Sequence, residues 1–150
     1  MLRAIEDEDI EPLVRMANES EWWGRAVEAE DLTGDSFDFT IEVGGAPAGW
    51  LGVYEENEPD YRHATLDITL MAAYQDRGLG PEALKAAIDW LVSERGHHRF
   101  TIDPSARNAR AIAAYEKVGF RRVGLLRSYE RGSDGSWHDG LLMDLVIEPH

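Results

Sequence analysis

His63–Glu82, HATLDITLMAAYQDRGLGPE, is the stretch on which the reading of this chain turns. From His63 to Leu70 the apolar residues Ala64, Leu66, Ile68 and Leu70 alternate with Thr65, Asp67 and Thr69, the period of a half-buried strand. Gln75-Asp76-Arg77-Gly78-Leu79-Gly80 follows, with two glycines where the backbone can turn sharply and come close to a ligand. Pro81 suits the first position of a helix and Glu82 its positive end. A bare loop of free amides at a helix N-terminus is a natural cradle for phosphate. The expectation is a phosphate-bearing cofactor at Gln75–Pro81, with the chemistry a few residues upstream on the strand.

Outward from this stretch the chain alternates regularly. Leu2–Ile5 reads as a short strand, and Asp7 as the cap of a helix carrying Ile10, Leu13, Val14 and Ala17 on one face. Phe37–Val43 alternates cleanly, Gly44-Gly45 turns the chain, and Trp50–Tyr54 returns as a hairpin partner. After Pro81 a helix carries Leu84, Ala87, Ile88, Leu91 and Val92 and stops at Gly96. Arg99–Asp103 is a strand ended by Pro104. Asn108 opens a second helix through about Val118, closed by Gly119. Phe120–Arg131 and Trp137–Ile147 read as two long strands joined across Gly132–Ser136. The order β-α-β-β-β-α-β-α-β-β describes one mixed α/β domain over residues 1–150, with the strands at His63 and Arg99 expected as parallel neighbours.

Composition narrows the function. With 43% hydrophobic residues and five tryptophans, 150 residues make a folded globule with a proper core. No run of about eighteen apolar residues offers a membrane span. MLRAIEDEDIEP has no apolar signal region, so a cytoplasmic protein is expected. The absence of cysteine removes disulfides, a thiol nucleophile and thiolate metal sites. His97-His98 lacks the spacing and further ligands of a metal site, so none is expected. Fifteen basic against twenty-nine acidic residues leave a net charge of −14, which disfavours nucleic acid and anionic membranes and favours a cationic partner. The acids crowd into Glu19–Asp35 and Glu55–Asp60, while arginines concentrate in the second half. Glu21-Trp22-Trp23-Gly24 lacks periodicity, and adjacent tryptophans cannot both face one core, so one of them is a candidate pocket wall.

Gln75-x-x-Gly78-x-Gly80 after the fourth strand, followed by Asn108…Ala111-Ile112…Tyr115-Glu116-Lys117-x-Gly119-Phe120 after the fifth, resembles the GNAT superfamily of acyl-CoA-dependent N-acetyltransferases over essentially the whole chain. The resemblance implies a centrally splayed sheet of about seven strands flanked by helices. It also implies acetyl-CoA as donor, its pyrophosphate on the amides of Gln75, Asp76, Arg77, Gly78, Leu79, Gly80 and Pro81. Leu70 and Met71 would offer backbone groups to the pantetheine arm, and Asn108 would contact it. Tyr115 matches the tyrosine that typically protonates the departing thiolate; the alternative is a helix tyrosine filling the core beside Ile112. Direct attack by the amine needs no acyl-enzyme, in keeping with a chain without cysteine.

The acceptor amine is cationic at neutral pH and must lose a proton. Asp67, in a strand interior opposite the apolar stripe, is the first candidate to bind or deprotonate it, and Asp103 at the end of the fifth strand is the second. An ion-pair role for Asp67 and a turn role for Asp103 are the alternatives, with His63 or a water relay as other bases. Trp22, Trp23, Asp67, Asp103 and Tyr115 together look like the aminoglycoside 6′-N-acetyltransferases, a resistance activity on polycationic sugars. Glu130-Arg131…Gly135-x-Trp137-x-Asp139 resembles instead the branch that acetylates protein N-termini and polyamines. A non-catalytic acyl-CoA-binding module would show a broken loop or lack Tyr115. Proteins of this superfamily are often homodimers, and no stripe in this sequence marks an interface.

Overall fold

The computed structural model describes residues 1–20 and 27–148. Seven strands form one sheet: β1 (Leu2–Ala4), β2 (Phe37–Val43), β3 (Ala46–Glu56), β4 (His63–Leu70), β5 (Arg99–Ile102), β6 (Arg121–Arg131) and β7 (Trp137–Val146), in the spatial order β1-β2-β3-β4-β5-β7-β6. Three helices flank it: α1 (Asp7–Glu19), α2 (Leu79–Arg95) and α3 (Ala109–Val118). The expected element order is observed, with short 3-10 turns added at Ala29–Leu32 and Ala72–Tyr74.

The period-two pattern sends alternate residues to two different layers. Leu51 and Val53 of β3, Leu66 of β4 and Phe100 of β5 pack with Leu84, Ile88 and Leu91 of α2 and Ile112 of α3. On the other face Trp50 packs with Leu13, Met16 and Ala17 of α1, together with Val27 and Leu32, and donates its indole N–H to the Leu32 carbonyl at 2.9 Å. Asp67 pairs with Gly52 and Thr69 with Trp50 across β3 and β4, so Asp67 belongs to the α1 face of the sheet.

Several boundaries differ from expectation for local reasons. The cap of α1 is Glu6, not Asp7, because Asp9 reaches back to the Glu6 amide at 2.9 Å and completes a capping box. β3 runs from Ala46 to Glu56, longer than Trp50–Tyr54, since both of its edges find partners. α2 begins at Leu79 rather than Pro81: Gly78 takes the left-handed conformation (φ 77°) and turns the chain into the helix two residues earlier. Pro81 then sits within the first turn, where its missing N–H costs nothing.

The feature that creates the site is the seam between β4 and β5. These strands are parallel, as expected, but pair only at Ala64–Phe100 and Thr65–Thr101, where the two threonine hydroxyls are 2.8 Å apart. β5 then pairs on its other side with β7. Beyond Thr65 and Thr101 the two strands go separate ways, opening the sheet at its centre.

Candidate active site

A cleft of about 1820 Å³ fills the opening, lined by the C-terminal parts of β4 and β5, the loop before α2, the first turns of α3 and the C-terminal half of α1. One wall is made of backbone. The amides of Asp76, Arg77, Gly78, Leu79 and Gly80 meet no protein acceptor among the described residues. The first helical bond of α2 is Glu82 N–H to the Gly78 carbonyl at 3.2 Å. Asp76 and Gly78 both have positive φ, 60° and 77°, which turns successive amides toward one side. A Cβ on Gly80 would meet only Leu70 Cδ1 at 3.6 Å, so the glycine leaves open room in front of these donors. Such a cradle fits an anionic phosphate group.

Most expected cofactor contacts gather here, with two differences. Gln75 holds its place by donating Nε2–H to the Leu70 carbonyl at 3.2 Å, and Asn108 caps α3 by accepting the Ala111 amide at 3.2 Å. Met71 lines the cleft, but its N–H is committed to the Ala48 carbonyl at 2.8 Å and its carbonyl accepts from Tyr74, so it has no spare amide to offer a ligand. The Arg77 guanidinium lies over the Tyr74 ring, 5.3 Å from its centre, and is absent from the cleft lining. A different arginine reaches the loop: Arg110 donates to Gln75 Oε1 at 2.6 Å and pairs with Asp76 Oδ1 at 3.3 Å, strapping α3 to the loop.

The other wall is acidic. Asp67 is exposed to the cleft and makes no ion pair among the described residues. Desolvation by the protein around the cleft, followed by the charges of Asp103 and Asp35, pushes its carboxyl up to about 6. The Asp35 contribution traces to Gly52, the row-mate between Asp38 and Asp67. A Cβ there would stand 2.5 Å from Asp35 Oδ2, so the missing side chain admits a third carboxylate behind Asp67. Asp38 beside it is pushed up to about 7, by burial first and then by Asp35. Burial also lifts Asp103, while a hydrogen bond from the Tyr129 hydroxyl to Oδ2 at 2.5 Å pulls it the other way. Glu130 joins the same lining and is raised by burial and by Asp103.

Tyr115 comes from α3, on the opposite side of the sheet from Asp67, and the open seam brings the two into one cleft. Its ring packs against the core and meets Phe120 edge-on at 6.4 Å, so the core-filling and cleft-lining readings are both true of it. Burial, then Asp67 and Asp103, hold its phenol well above the ordinary tyrosine range, so it keeps its proton at any working pH. Among the described residues nothing hydrogen-bonds its hydroxyl.

Other expectations fall elsewhere. Trp22 and Trp23 lie outside the described residues. His63 bonds the Tyr61 carbonyl at 2.8 Å at the start of β4, away from the cleft lining. His97 is buried against Glu55, and among the described residues no group of His, Cys, Asp and Glu is arranged to hold a metal ion. No helix among them is long and apolar enough to cross a membrane. Three site residues escaped the sequence reading. Glu19 and Asp35 were visible only as part of an acidic crowd, and Tyr129 gave no signal of its own.

A seven-stranded sheet parted between two parallel strands, with an amide cradle on one wall and a tyrosine facing two carboxylates, is the architecture of an acyl-transfer enzyme. The model of the acetyltransferase (GNAT) family matches residues 2–120. Among curated relatives, the aminoglycoside N(6′)-acetyltransferase type 1 of Klebsiella pneumoniae is 29% identical over 152 residues, covering 82% of this chain and 74% of that protein. The [ribosomal protein bS18]-alanine N-acetyltransferase of Escherichia coli is 39% identical over 85 residues, 56% of each. Among solved structures, the spermidine N-acetyltransferase of Vibrio cholerae in complex with CoA and spermine superposes with a TM-score of 0.83 at 20% identity, covering 97% of this chain and 94% of that one. The chain belongs to the GNAT family and is an acyl-CoA N-acyltransferase. Enzymes of this family use acetyl-CoA as the acetyl donor.

Proposed function

We propose that the protein, working as a single acetyltransferase domain, transfers acetyl from acetyl-CoA onto the amine of a cationic small molecule, with an aminoglycoside 6′-amine as the leading candidate. One observation carries this reading: Asp67 and Asp103 stand beside Tyr115 in the open seam, and among the described residues neither makes an ion pair with a protein cation. Carboxylates grouped in a cleft without an ion-pair partner are matched by a ligand that brings its own positive charge.

In this reading the orphan amides of Asp76–Gly80 bind the coenzyme pyrophosphate, and Gln75, Pro81, Leu70 and Asn108 shape the path of its pantetheine arm. Acetyl-CoA supplies an activated thioester. Asp67 Oδ and Asp103 Oδ hold the acceptor ammonium, and Asp67, with its carboxyl near 6, takes a proton from it directly or through water. Tyr115 Oη holds the proton that the departing sulfur needs. Relatives that act on aminoglycosides and structural neighbours that bind spermine suit the same acidic wall.

A second reading is favoured by the match to the bS18-alanine enzyme and by Glu130 in the lining: acetylation of a peptide N-terminus or a polyamine. The deciding experiment is thiol release from acetyl-CoA with aminoglycosides that have or lack a 6′-amine, polyamines, and peptides with free N-termini. Turnover confined to 6′-amino aminoglycosides is expected. Turnover with polyamines or peptides alone would move the assignment to the second reading, and silence with every amine would overturn both.

A further inference from the structure

β6 is out of step with β7 at two places, between Arg122 and Gly124 and between Leu126 and Glu130, and the consequence of the second reaches the cleft. Leu126 pairs with Gly140 and Glu130 with His138, so Arg127, Ser128 and Tyr129 face a single residue, Asp139. Ser128 takes φ 46°, a left-handed conformation that serine seldom adopts, and its amide is held there by Asp139 Oδ1 at 2.8 Å. The bulge throws the Tyr129 ring over Gly140, where a Cβ would stand 2.8 Å from Cδ2. At the far end of that ring the hydroxyl donates to Asp103 Oδ2.

The other end of this bond is hung from the same stretch of β7. The Leu141 amide donates to the Pro104 carbonyl at 2.8 Å, and the Ala106 amide to the Asp139 carbonyl at 2.9 Å. Asp139–Leu141 therefore fixes both Tyr129 and the segment that follows Asp103. Asp67, in contrast, has no side-chain partner among the described residues.

We propose that Tyr129 is the positioning residue of the acceptor site: by gripping Asp103 through Oδ2, it presents Oδ1 to the incoming ammonium, and the β6 bulge delivers it there. The proposal rests on the acceptor reading given above. It assigns a specificity role to the β6–β7 hairpin, which carries no part of the coenzyme cradle. The groups that share Asp103's field are Asp67 on β4, Tyr115 on α3, and Tyr129 and Glu130 on β6, with Arg107 and His138 acting on Glu130.

Tyr129→Phe in the full chain keeps the ring on Gly140 and deletes only the donor. Two readouts test it. In carboxyl 13C NMR without substrate, with the Asp103 signal identified by its loss in Asp103→Asn, the Asp103 midpoint is expected to move to higher pH, because a donated hydrogen bond favours the ionised form. An unmoved midpoint overturns the grip. In kinetics with a 6′-amino aminoglycoside as probe amine, the amine KM is expected to rise about tenfold with the KM for acetyl-CoA unchanged, the scale of one hydrogen bond to a charged group. Equal losses for both substrates, or none, overturn the positioning role. Should the unaltered protein leave that aminoglycoside untouched, the acceptor reading fails while the NMR midpoint still decides whether Tyr129 holds Asp103.

Discussion

The two ends of the β4–β5 seam handle charge in opposite ways. At the closed end, Glu55 has a side chain only 3% exposed and is fully compensated: Arg95 donates from Nη2 at 2.8 Å and from Nε at 3.0 Å, and His97 Nε2 is 2.7 Å away. Arg95 itself stacks over Phe37, 5.1 Å from the ring centre. These partners, Arg95 first, draw the Glu55 carboxyl down to about 2. At the open end, Asp67 and Asp103 make no ion pair among the described residues, and desolvation raises both carboxyls. A charge that serves the fold is neutralised within the fold; a charge proposed to serve a ligand is left uncompensated until the ligand arrives.

That contrast can be broken at several points. Gly80→Arg should abolish acetyl-CoA binding in calorimetry while leaving the circular dichroism spectrum intact, since only Leu70 Cδ1 lies near the added Cβ and the rest of the side chain fills the amide cradle. Retained affinity would remove the cradle from the coenzyme site. Tyr115→Phe should lower kcat by about 100- to 1,000-fold with acetyl-CoA binding unchanged, the scale of a lost general acid; an unaltered kcat would leave Tyr115 as core alone.

At the closed end, Glu55→Gln should cost about 2 kcal/mol in denaturant unfolding, because it replaces a buried carboxylate whose hydrogen bonds come from the buried His97 and the solvent-exposed Arg95. The sign with pH is definite. Glu55 is held below its unfolded value, so its contribution is complete above about 4.5 and disappears as the pH falls through about 2. The difference between the two proteins should vanish over that range. Asp67→Asn should do the reverse on a smaller scale. Asp67 is raised from 3.8 to about 6, so its ionisation opposes folding above that pH and the opposition fades toward 3.8. The variant should melt about 2–4 °C higher at pH 8 and at the same temperature near pH 3.5, while losing affinity for the amine. A lower melting point at pH 8 would mean that Asp67 is satisfied after all.

The same contrast explains what could be read from the sequence. The amide cradle is contiguous backbone, so Gln75–Pro81 announces itself as a glycine loop between a strand and a helix. The order of elements was equally legible because alternation and helical spacing hold throughout β2, β4 and α2. The acidic wall is assembled from side chains on β4, at the end of β5 and on β6, and its details depend on register. Tyr129 reaches Asp103 only because β6 slips against β7, and no local pattern in LRSYER marks a bulge. Asp35 approaches Asp67 only because Gly52 stands between Asp38 and Asp67 in the sheet, and that row is not a sequence neighbourhood. Arg77, inside the loop, turns to Tyr74 for a cation–π contact that the loop motif cannot foretell.

The short seam also decides where the molecule yields to force. Sliding β4 past β3 loads eight paired residues along His63–Leu70 together, whereas pulling β4 away from β5 loads only Ala64–Phe100 and Thr65–Thr101. The line in the sheet with the fewest paired residues is therefore the line along which the coenzyme arm is proposed to lie. An extended ligand bridging that line would act as a stitch, and a protein stretched across β4 and β5 should tear at lower force when that stitch is missing.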